Sequence, residues 1–150
     1  MKIVLKEKSD INYNDIYIQY HYSNYKSVKE ISELILINNE NVEVIDEHYH
    51  IKNTYLNHIY YFQSYDHKIY CYYDGKRRQI KTKDRNKFKR KIIRYGFIQV
   101  NRTTYINMNY VLSYKIIHNS NRLVRLHNGE EIIVSRKYKN SFDFYIKNQW

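Results

Sequence analysis

Alternation of apolar and polar residues dominates the second half of the chain. Its clearest case is a pair of apolar runs, residues 123–126 and 132–134, separated by Asn128-Gly129. Asn-Gly favours the left-handed backbone of a tight turn, so the pattern predicts a β-hairpin. Residues 97–111 alternate in the same way and predict further strands.

Shorter alternating runs predict strands throughout the preceding segment. They cover residues 42–45, 50–54, 57–64, 69–73 and 78–82. A hairpin loop is expected at residues 65–68 and a turn at Asp74-Gly75. The tail, residues 138–150, contains widely spaced apolar residues and predicts a short closing helix.

One helix is expected between these strands. Asp84 is placed to cap its beginning and Gly96 to end it. Phe88 and Ile92 form its apolar stripe, to which we also assign Ile93.

The first 43 residues predict a small β–β–α segment. Its strands are expected at residues 2–6 and 16–21, with a turn at residues 10–14 between them. Ser27 and Glu30 have the spacing of a capping box, so we predict a helix that begins at Ser27 and ends near Asn38-Asn39. Such a segment is too small to be stable alone. We therefore expect residues 1–43 to mediate dimerisation or contact a partner, and residues 44–150 to form the main domain.

Charge is unevenly distributed along the 150 residues. The formal net charge is +11, but residues 1–48 contribute −4 and residues 49–150 contribute +15. An anionic partner is therefore expected to contact the second part only. The run from Lys76 to Arg94 contains 11 Lys and Arg residues and one acid, and it predicts phosphate contacts or a solvated helix face.

A few further features of the sequence indicate the expected cellular compartment. Cys71 is the only cysteine, so we expect a buried thiol in a reducing compartment. No apolar run approaches the ~18 residues of a membrane span. The N-terminus is too short and too charged for a signal peptide, so a cytoplasmic location is expected.

The segment from Phe97 to Tyr138 resembles the LytTR DNA-binding domain of bacterial transcription regulators. Three motifs carry the resemblance: FIQVNRTTYIN at residues 97–107, LHNG at residues 126–129 and IIVSRKY at residues 132–138. Gln99 stands where the family usually has Arg, Asn101 where it usually has His, and Thr103 where it has Ser. The resemblance extends back to about Val44 and covers roughly two-thirds of the chain.

The resemblance implies both a fold and a mode of binding. The fold is mainly β, an elongated arrangement of small antiparallel sheets with one helix, here preceded by the β–β–α segment. Family members insert loops between strands, rather than a helix, into successive major grooves of DNA. The corresponding candidate residues here are His67, Lys68, Asn101, Arg102, Thr103, His127, Asn128, Arg136 and Lys137. Lys137 occupies the family's most characteristic base-contacting position, and Arg102 a backbone-contacting one.

Regulation is also suggested by the resemblance. Residues 1–43 are several-fold shorter than a receiver domain, so the chain resembles stand-alone LytTR regulators. Such regulators are often governed by a membrane-protein partner or by their own expression, and a homodimer on paired sites is expected here. No cofactor or small-molecule substrate is expected.

Two other functions compete with duplex recognition. A single-stranded nucleic acid could stack its bases on Tyr60, Tyr61, Tyr70 and Tyr72. A small metal-dependent nuclease could use Asp46, His48 and His50, although the sequence places no further ligand beside them. Since nucleophile motifs and phosphate-binding glycine loops are missing, we do not expect an enzyme.

Overall fold

A computed structural model describes residues 18–38 and 40–149 of the chain. The chain separates into two compact units, Met1–Ile37 and Asn38–Trp150. The strand and the turn that the sequence predicts at residues 2–6 and 10–14 lie outside the described residues. No helix within the described ranges is long and apolar enough to cross a membrane.

All but the last residue of helix α1, Tyr25–Asn38, lies in the first unit. A 3₁₀ turn, Tyr22–Asn24, leads directly into it, and the His21 ring accepts a hydrogen bond from the backbone N–H of Ser23. The capping box is therefore wrong: helical backbone already precedes Ser27, which cannot act as the N-cap. Residues 18–21 form no strand, so the strand predicted at 16–21 is wrong over its described part. The predicted helix end near Asn38 is confirmed.

The second unit is mainly β, as predicted. Its strands are β1 Asn41–Ile45, β2 Ile51–Tyr55, β3 Tyr61–Tyr65, β4 Lys68–Tyr73, β5 Lys76–Ile80, β6 Phe97–Gln99, β7 Thr104–Asn107, β8 Val111–Ile116, β9 Arg122–Leu126 and β10 Glu131–Val134. Its helices are α2 Arg85–Arg94 and α3 Lys139–Gln149. The predicted closing helix is thus confirmed as α3.

All strand pairs are antiparallel. One sheet has the order β2-β1-β5-β4-β3-β7-β6 and the other has the order β10-β9-β8. The β4–β5 turn places both Asp74 and Gly75 in the left-handed region, with φ of 50° and 67°. Two such residues match the twist of the flanking strands, which explains why this turn joins them without extra residues.

The strand predicted at residues 57–64 is only partly correct. A 3₁₀ turn, Leu56–His58, occupies its beginning, and β3 starts at Tyr61. Leu56 is buried and its N–H donates to the Glu40 carbonyl oxygen at 2.8 Å. The chain therefore turns through the core at this point because burial of Leu56 outweighs the local β pattern.

The seven-stranded sheet is buried on both faces around β3. Phe62 lies in one core, where its ring contacts Phe88 and Phe97 at centroid distances of 5.3 and 4.9 Å. Tyr61 lies in the other core, stacked on Tyr72. The first core includes α2 and the second includes the three-stranded sheet and α3. Adjacent residues of one strand thus bind the sheet to two different layers.

Helix α2 follows its predicted limits. The Asp84 carboxylate accepts from the Lys87 N–H at 2.9 Å, and Gly96 has φ of 87°. Phe88 and Ile92 are buried, but Ile93 is exposed, so its assignment to the apolar stripe is wrong. A helical residue directly after Ile92 is rotated by about 100°, which turns Ile93 away from the sheet.

The predicted β9–β10 hairpin is confirmed, with a longer loop than Asn-Gly suggests. The Leu126 N–H donates to the Glu130 carbonyl oxygen at 2.9 Å, which encloses three residues. Gly129 alone of these three adopts a left-handed conformation, with φ of 87°. Cys71 is fully buried, as predicted, and burial raises the pKa of its thiol to about 12.

Helix α3 offers a matched test of this packing. Phe142 is 0 % exposed and contacts Tyr114, whereas Phe144, two residues later, is 72 % exposed. We expect Phe142→Ala to lower the free energy of unfolding by about 3–5 kcal/mol, because it removes a buried ring and leaves a cavity. Phe144→Ala should change it by less than about 0.5 kcal/mol. Urea unfolding followed by circular dichroism measures both; equal effects would contradict the placement of α3.

Candidate nucleic-acid interface

The first candidate loop is the β3–β4 turn. Asp66 and His67 both have positive φ, 46° and 59°, and they join Tyr65 and Lys68, which are paired across the two strands. The side chains of His67 and Lys68 are exposed. A two-residue turn on paired strands holds them in a fixed direction at the end of the sheet.

The second candidate loop joins β6 to β7 and is organised by Asn101. Its Oδ1 accepts hydrogen bonds from the N–H groups of Thr103 and Thr104, at 3.0 and 2.9 Å, and from the Thr103 hydroxyl at 3.2 Å. Its Nδ2 donates to the Ile133 carbonyl oxygen at 3.3 Å. Arg102, between these partners, projects into solvent. Asn101 therefore shapes the loop, and Arg102 is its exposed cation.

The third candidate segment is the turn between β10 and α3. The Tyr138 N–H donates to the Ser135 carbonyl oxygen at 2.8 Å and closes the turn. Arg136 and Lys137 lie within it and are exposed. The Lys137 ammonium lies 5.6 Å from the centroid of the Tyr138 ring, which restricts it on one side.

Backbone hydrogen bonds bring these three segments together. The Ser64 N–H donates to the Thr103 carbonyl oxygen, and the Ser135 N–H donates to the Val100 carbonyl oxygen, both at 2.8 Å. We call the resulting surface the three-loop edge; it consists of Asp66, His67, Lys68, Asn101, Arg102, Thr103, Arg136 and Lys137. It carries four cations and one carboxylate.

His127 and Asn128 lie elsewhere. They form the tip of the β9–β10 hairpin, and the length of β10, roughly 13 Å for four residues, separates them from Arg136. Asn128 is occupied locally: its amide donates to the Glu130 carboxylate at 3.0 Å and accepts from the Glu130 N–H at 3.1 Å. The structure therefore brings together seven of the nine candidate residues and places these two apart.

The basic run continues from the same end of the sheet. Gln79 of β5 pairs with Tyr70 of β4, so the chain after β5 leaves beside the β3–β4 turn. Lys81 pairs with Glu43 at 3.2 Å and Lys91 pairs with Glu40. The remaining cations of α2 form no ion pair within the described ranges; they are Arg85, Lys87, Lys89, Arg90 and Arg94.

The four tyrosines on which single-stranded bases could stack already contact other side chains of the protein. Tyr61 and Tyr72 stack on each other with centroids 4.2 Å apart, and Tyr60 packs edge-on against Tyr110. The Arg77 guanidinium lies 4.7 Å from the centroid of the Tyr70 ring. These four rings thus serve contacts within the protein.

Asp46 serves the β1–β2 turn. Its buried carboxylate accepts from the N–H groups of His48 and His50, both at 2.9 Å, and from the Lys52 ammonium at 2.7 Å. The hydrogen bond from Lys52 holds the pKa of Asp46 well below its ordinary value. In the part of the chain that the structure describes, no three His, Cys, Asp or Glu residues are grouped to hold a metal ion.

Sequence reasoning missed the roles of Gln99 and Asn101 within the protein. Asn101 follows a strand and precedes two threonines, which is a local signal for an Asx turn. Gln99 gives no comparable signal, because one of its partners, Tyr138, is 39 residues away in the chain. Its Nε2 donates to the Asn101 carbonyl oxygen at 3.1 Å and to the Tyr138 hydroxyl at 3.4 Å.

Comparison with known proteins gives consistent results. Residues 49–147 match the family model of the LytTr DNA-binding domain. A solved structure of a LytTr DNA-binding domain from Bacillus cereus aligns with a TM-score of 0.62 and 18% identity, and the alignment covers 72% of this chain and 98% of that one. This likeness confirms the predicted fold. A comparison with curated proteins returned no match.

The pH dependence of stability tests the role of Asp46. Since its pKa is lowered on folding from an ordinary value of 3.8, the group stabilises the fold above about pH 4, and this contribution declines as the pH falls further. We expect Asp46→Asn to be less stable by a constant margin between neutral pH and about pH 5, with the margin narrowing below about pH 4. Urea unfolding at a series of pH values measures it. Stabilisation of the native protein, but not the variant, by a divalent metal would contradict this role.

Proposed function

Because the chain belongs to the LytTr DNA-binding domain family, we propose that it is a transcriptional regulator that recognises a specific double-stranded DNA sequence. Its three-loop edge would enter successive major grooves, as the loops of this family do. The observation that carries the proposal is the convergence of three loops, from distant parts of the sequence, on one edge with four cations. Its place of action would be the cytoplasm, where bacterial DNA is.

Within this edge, Lys137 and Arg136 suit the reading of base edges. They directly follow β10, whose end is fixed to the β6–β7 loop by the Ser135–Val100 hydrogen bond. An ammonium or guanidinium held in this way can reach guanine O6 and N7 in the major groove. Arg102 and Lys68, in the other two segments of the edge, would bind phosphates. The hairpin tip, with Glu130 beside His127 and Asn128, is left out of the proposed interface.

Helix α2 would supply phosphate contacts of a different kind. Four of its unpaired cations, Arg85, Lys87, Arg90 and Arg94, are exposed and Lys89 is half-buried, and all five lie on a helix rather than at the tip of a loop. Such contacts add affinity and salt dependence but carry no sequence information. Single-stranded binding is the second candidate, but its tyrosines pack against other side chains of the protein. Competition between duplex and poly-dT in a mobility-shift assay distinguishes the two.

Substitutions of two lysines distinguish sequence-specific DNA binding from non-specific electrostatic binding. Lys137→Ala should reduce specific binding by about 1–3 kcal/mol, with a much smaller effect on non-specific duplex, because a base contact is lost. Lys89→Ala should reduce both by the same small factor and lower the salt slope by about one, because only a phosphate contact is lost. Both changes remove one positive charge, so Lys89→Ala controls for net charge. Titrations of specific and random duplexes at several salt concentrations give these quantities.

Two results would contradict the proposal. Equal proportional losses of specific and non-specific binding in Lys137→Ala would make this lysine another phosphate contact. Poly-dT that competes as well as the specific duplex would favour the single-stranded alternative.

The acidic N-terminal segment would serve association rather than DNA contact. Leu34 of α1 is 59 % exposed, whereas Val28 of the same helix is buried and Ile31 is half-buried. We propose that this segment joins two copies on paired sites or binds an accessory protein. A membrane-protein regulator, as in stand-alone members of the family, would be one such accessory protein.

A charge placed on α1 tests self-association. Leu34→Glu should weaken binding to paired sites while leaving single-site affinity within about twofold, because only the contact between copies is lost. Ile51→Glu, the same change at an exposed residue of β2, is the matched control. Analytical ultracentrifugation and duplexes with one or two sites measure the effect. Unchanged sedimentation and unchanged paired-site binding would refute self-association through α1.

A further inference from the structure

Three consecutive residues, at the end of β6 and the start of the β6–β7 loop, form hydrogen bonds with β10 and the turn that follows it. Gln99 Nε2 donates to the Tyr138 hydroxyl at 3.4 Å, the Val100 carbonyl oxygen accepts from the Ser135 N–H at 2.8 Å, and Asn101 Nδ2 donates to the Ile133 carbonyl oxygen at 3.3 Å. The residue numbers of the donors and acceptors increase from 99 to 101 on one side, while those of their partners decrease from 138 to 133 on the other. The contact is therefore a continuous antiparallel seam.

A cleft lies beside this seam. It has a volume of about 420 Å³ and lies between the seven-stranded sheet and β10. Asn101 and Ile133 are among its lining residues, together with Gln63 and Thr104. At one side of this cleft the Asn101 amide joins the two layers through its bond to Ile133, next to the backbone hydrogen bond from Ser135 to Val100.

The amide orientation of Asn101 is determined by its neighbours. Two N–H groups and a hydroxyl surround Oδ1, whereas a carbonyl oxygen faces Nδ2. Oδ1 and one of the two Nδ2 hydrogens are thus used within the protein, and Arg102 is the exposed side chain of the loop. The amide thus connects the position of Arg102 to that of β10 and the turn that follows it.

We propose that Gln99 and Asn101 are positioning residues: together with the Ser135–Val100 backbone hydrogen bond, they fix the spacing between two DNA-reading elements, the β6–β7 loop and the β10–α3 turn. The consequence for recognition rests on the proposed function; the mechanical link does not. If the spacing is fixed, both elements can bind one duplex without losing conformational entropy relative to each other. A fixed spacing also disfavours DNA sites in which the two contact points are further apart or closer together.

Isosteric substitutions break the seam selectively. Asn101→Asp keeps the oxygen that accepts from Thr103 and Thr104 but replaces the donor facing Ile133 with a second oxygen. Gln99→Glu likewise removes the donor and keeps the size. Asn53→Asp, at an exposed residue of β2, introduces the same charge as either single substitution and is their control. Should Asn101→Asp unfold the protein, Tyr138→Phe removes only the hydroxyl that Gln99 binds and takes its place.

The mechanical link is tested without DNA. Spin labels at Arg102→Cys and Lys137→Cys report the distance between the two elements, and the buried Cys71 does not compete for the label. We expect a narrow distance distribution in the otherwise native protein and in Asn53→Asp. The combined Gln99→Glu and Asn101→Asp variant should show a broadened distribution. An unchanged distribution in that variant overturns the proposal.

The consequence for recognition is tested with the full chain. A target is first selected by the native protein from random duplexes, and single base pairs are then inserted at each position. Insertion between the two contacted subsites should lower native affinity roughly tenfold or more. The combined variant should lose only about twofold on the same insertion and keep its base preferences at both subsites.

The remaining outcomes each have a definite meaning. If Asn101→Asp relaxes the preference at one base pair while the spacing requirement is unchanged, Asn101 reads a base and the proposal is wrong. If both preference and spacing are unchanged in the combined variant, the proposal is also wrong. If no sequence is enriched by the native protein, the proposed function fails, while the spin-label distances still decide whether the link exists.

Discussion

The alternation of side chains along β3 is the constraint on which this fold depends. Phe62 and Tyr61 are adjacent, yet one is buried against α2 and the other against the second layer. A sheet covered on both faces cannot shift its register by one residue, because every side chain would exchange cores. The ends of β3 and β7 therefore occupy fixed positions, and the loops that begin at these ends are held in place.

Local chemistry made much of the architecture predictable. Asp74-Gly75, Asp84 and Gly96 each satisfy a backbone requirement that few residues meet, and all three features appear where the sequence places them. Helix α1 was harder, because the ring of His21 and a 3₁₀ turn begin it before the Ser27 motif. The strand expected at residues 57–64 was shortened because burial of Leu56 depends on the whole core and cannot be read from alternation alone.

The candidate site was likewise predictable in its local parts but not in its three-dimensional arrangement. Each loop could be recognised separately from its own sequence. Their convergence depends on the strand order, which places β3 beside β7, and on the hydrogen bond from the Ser135 N–H to the Val100 carbonyl oxygen. The hairpin tip illustrates the limit. His127 and Asn128 belong to a matching motif, yet the direction of β10 carries them away from Arg136. Proximity in the sequence therefore did not imply proximity at the surface.

Neutral amides suit a link that lies beside a polyanion. A cation at position 101 could contact DNA directly, but it could not accept the N–H groups of Thr103 and Thr104. A carboxylate could accept them, but it would repel phosphate and could not donate to Ile133. An amide both donates and accepts and adds no charge, so Asn101 can join two elements without altering the field of the edge. In the proposed interface the exposed cations would then contact DNA, while the two amides would determine how far apart those cations are held.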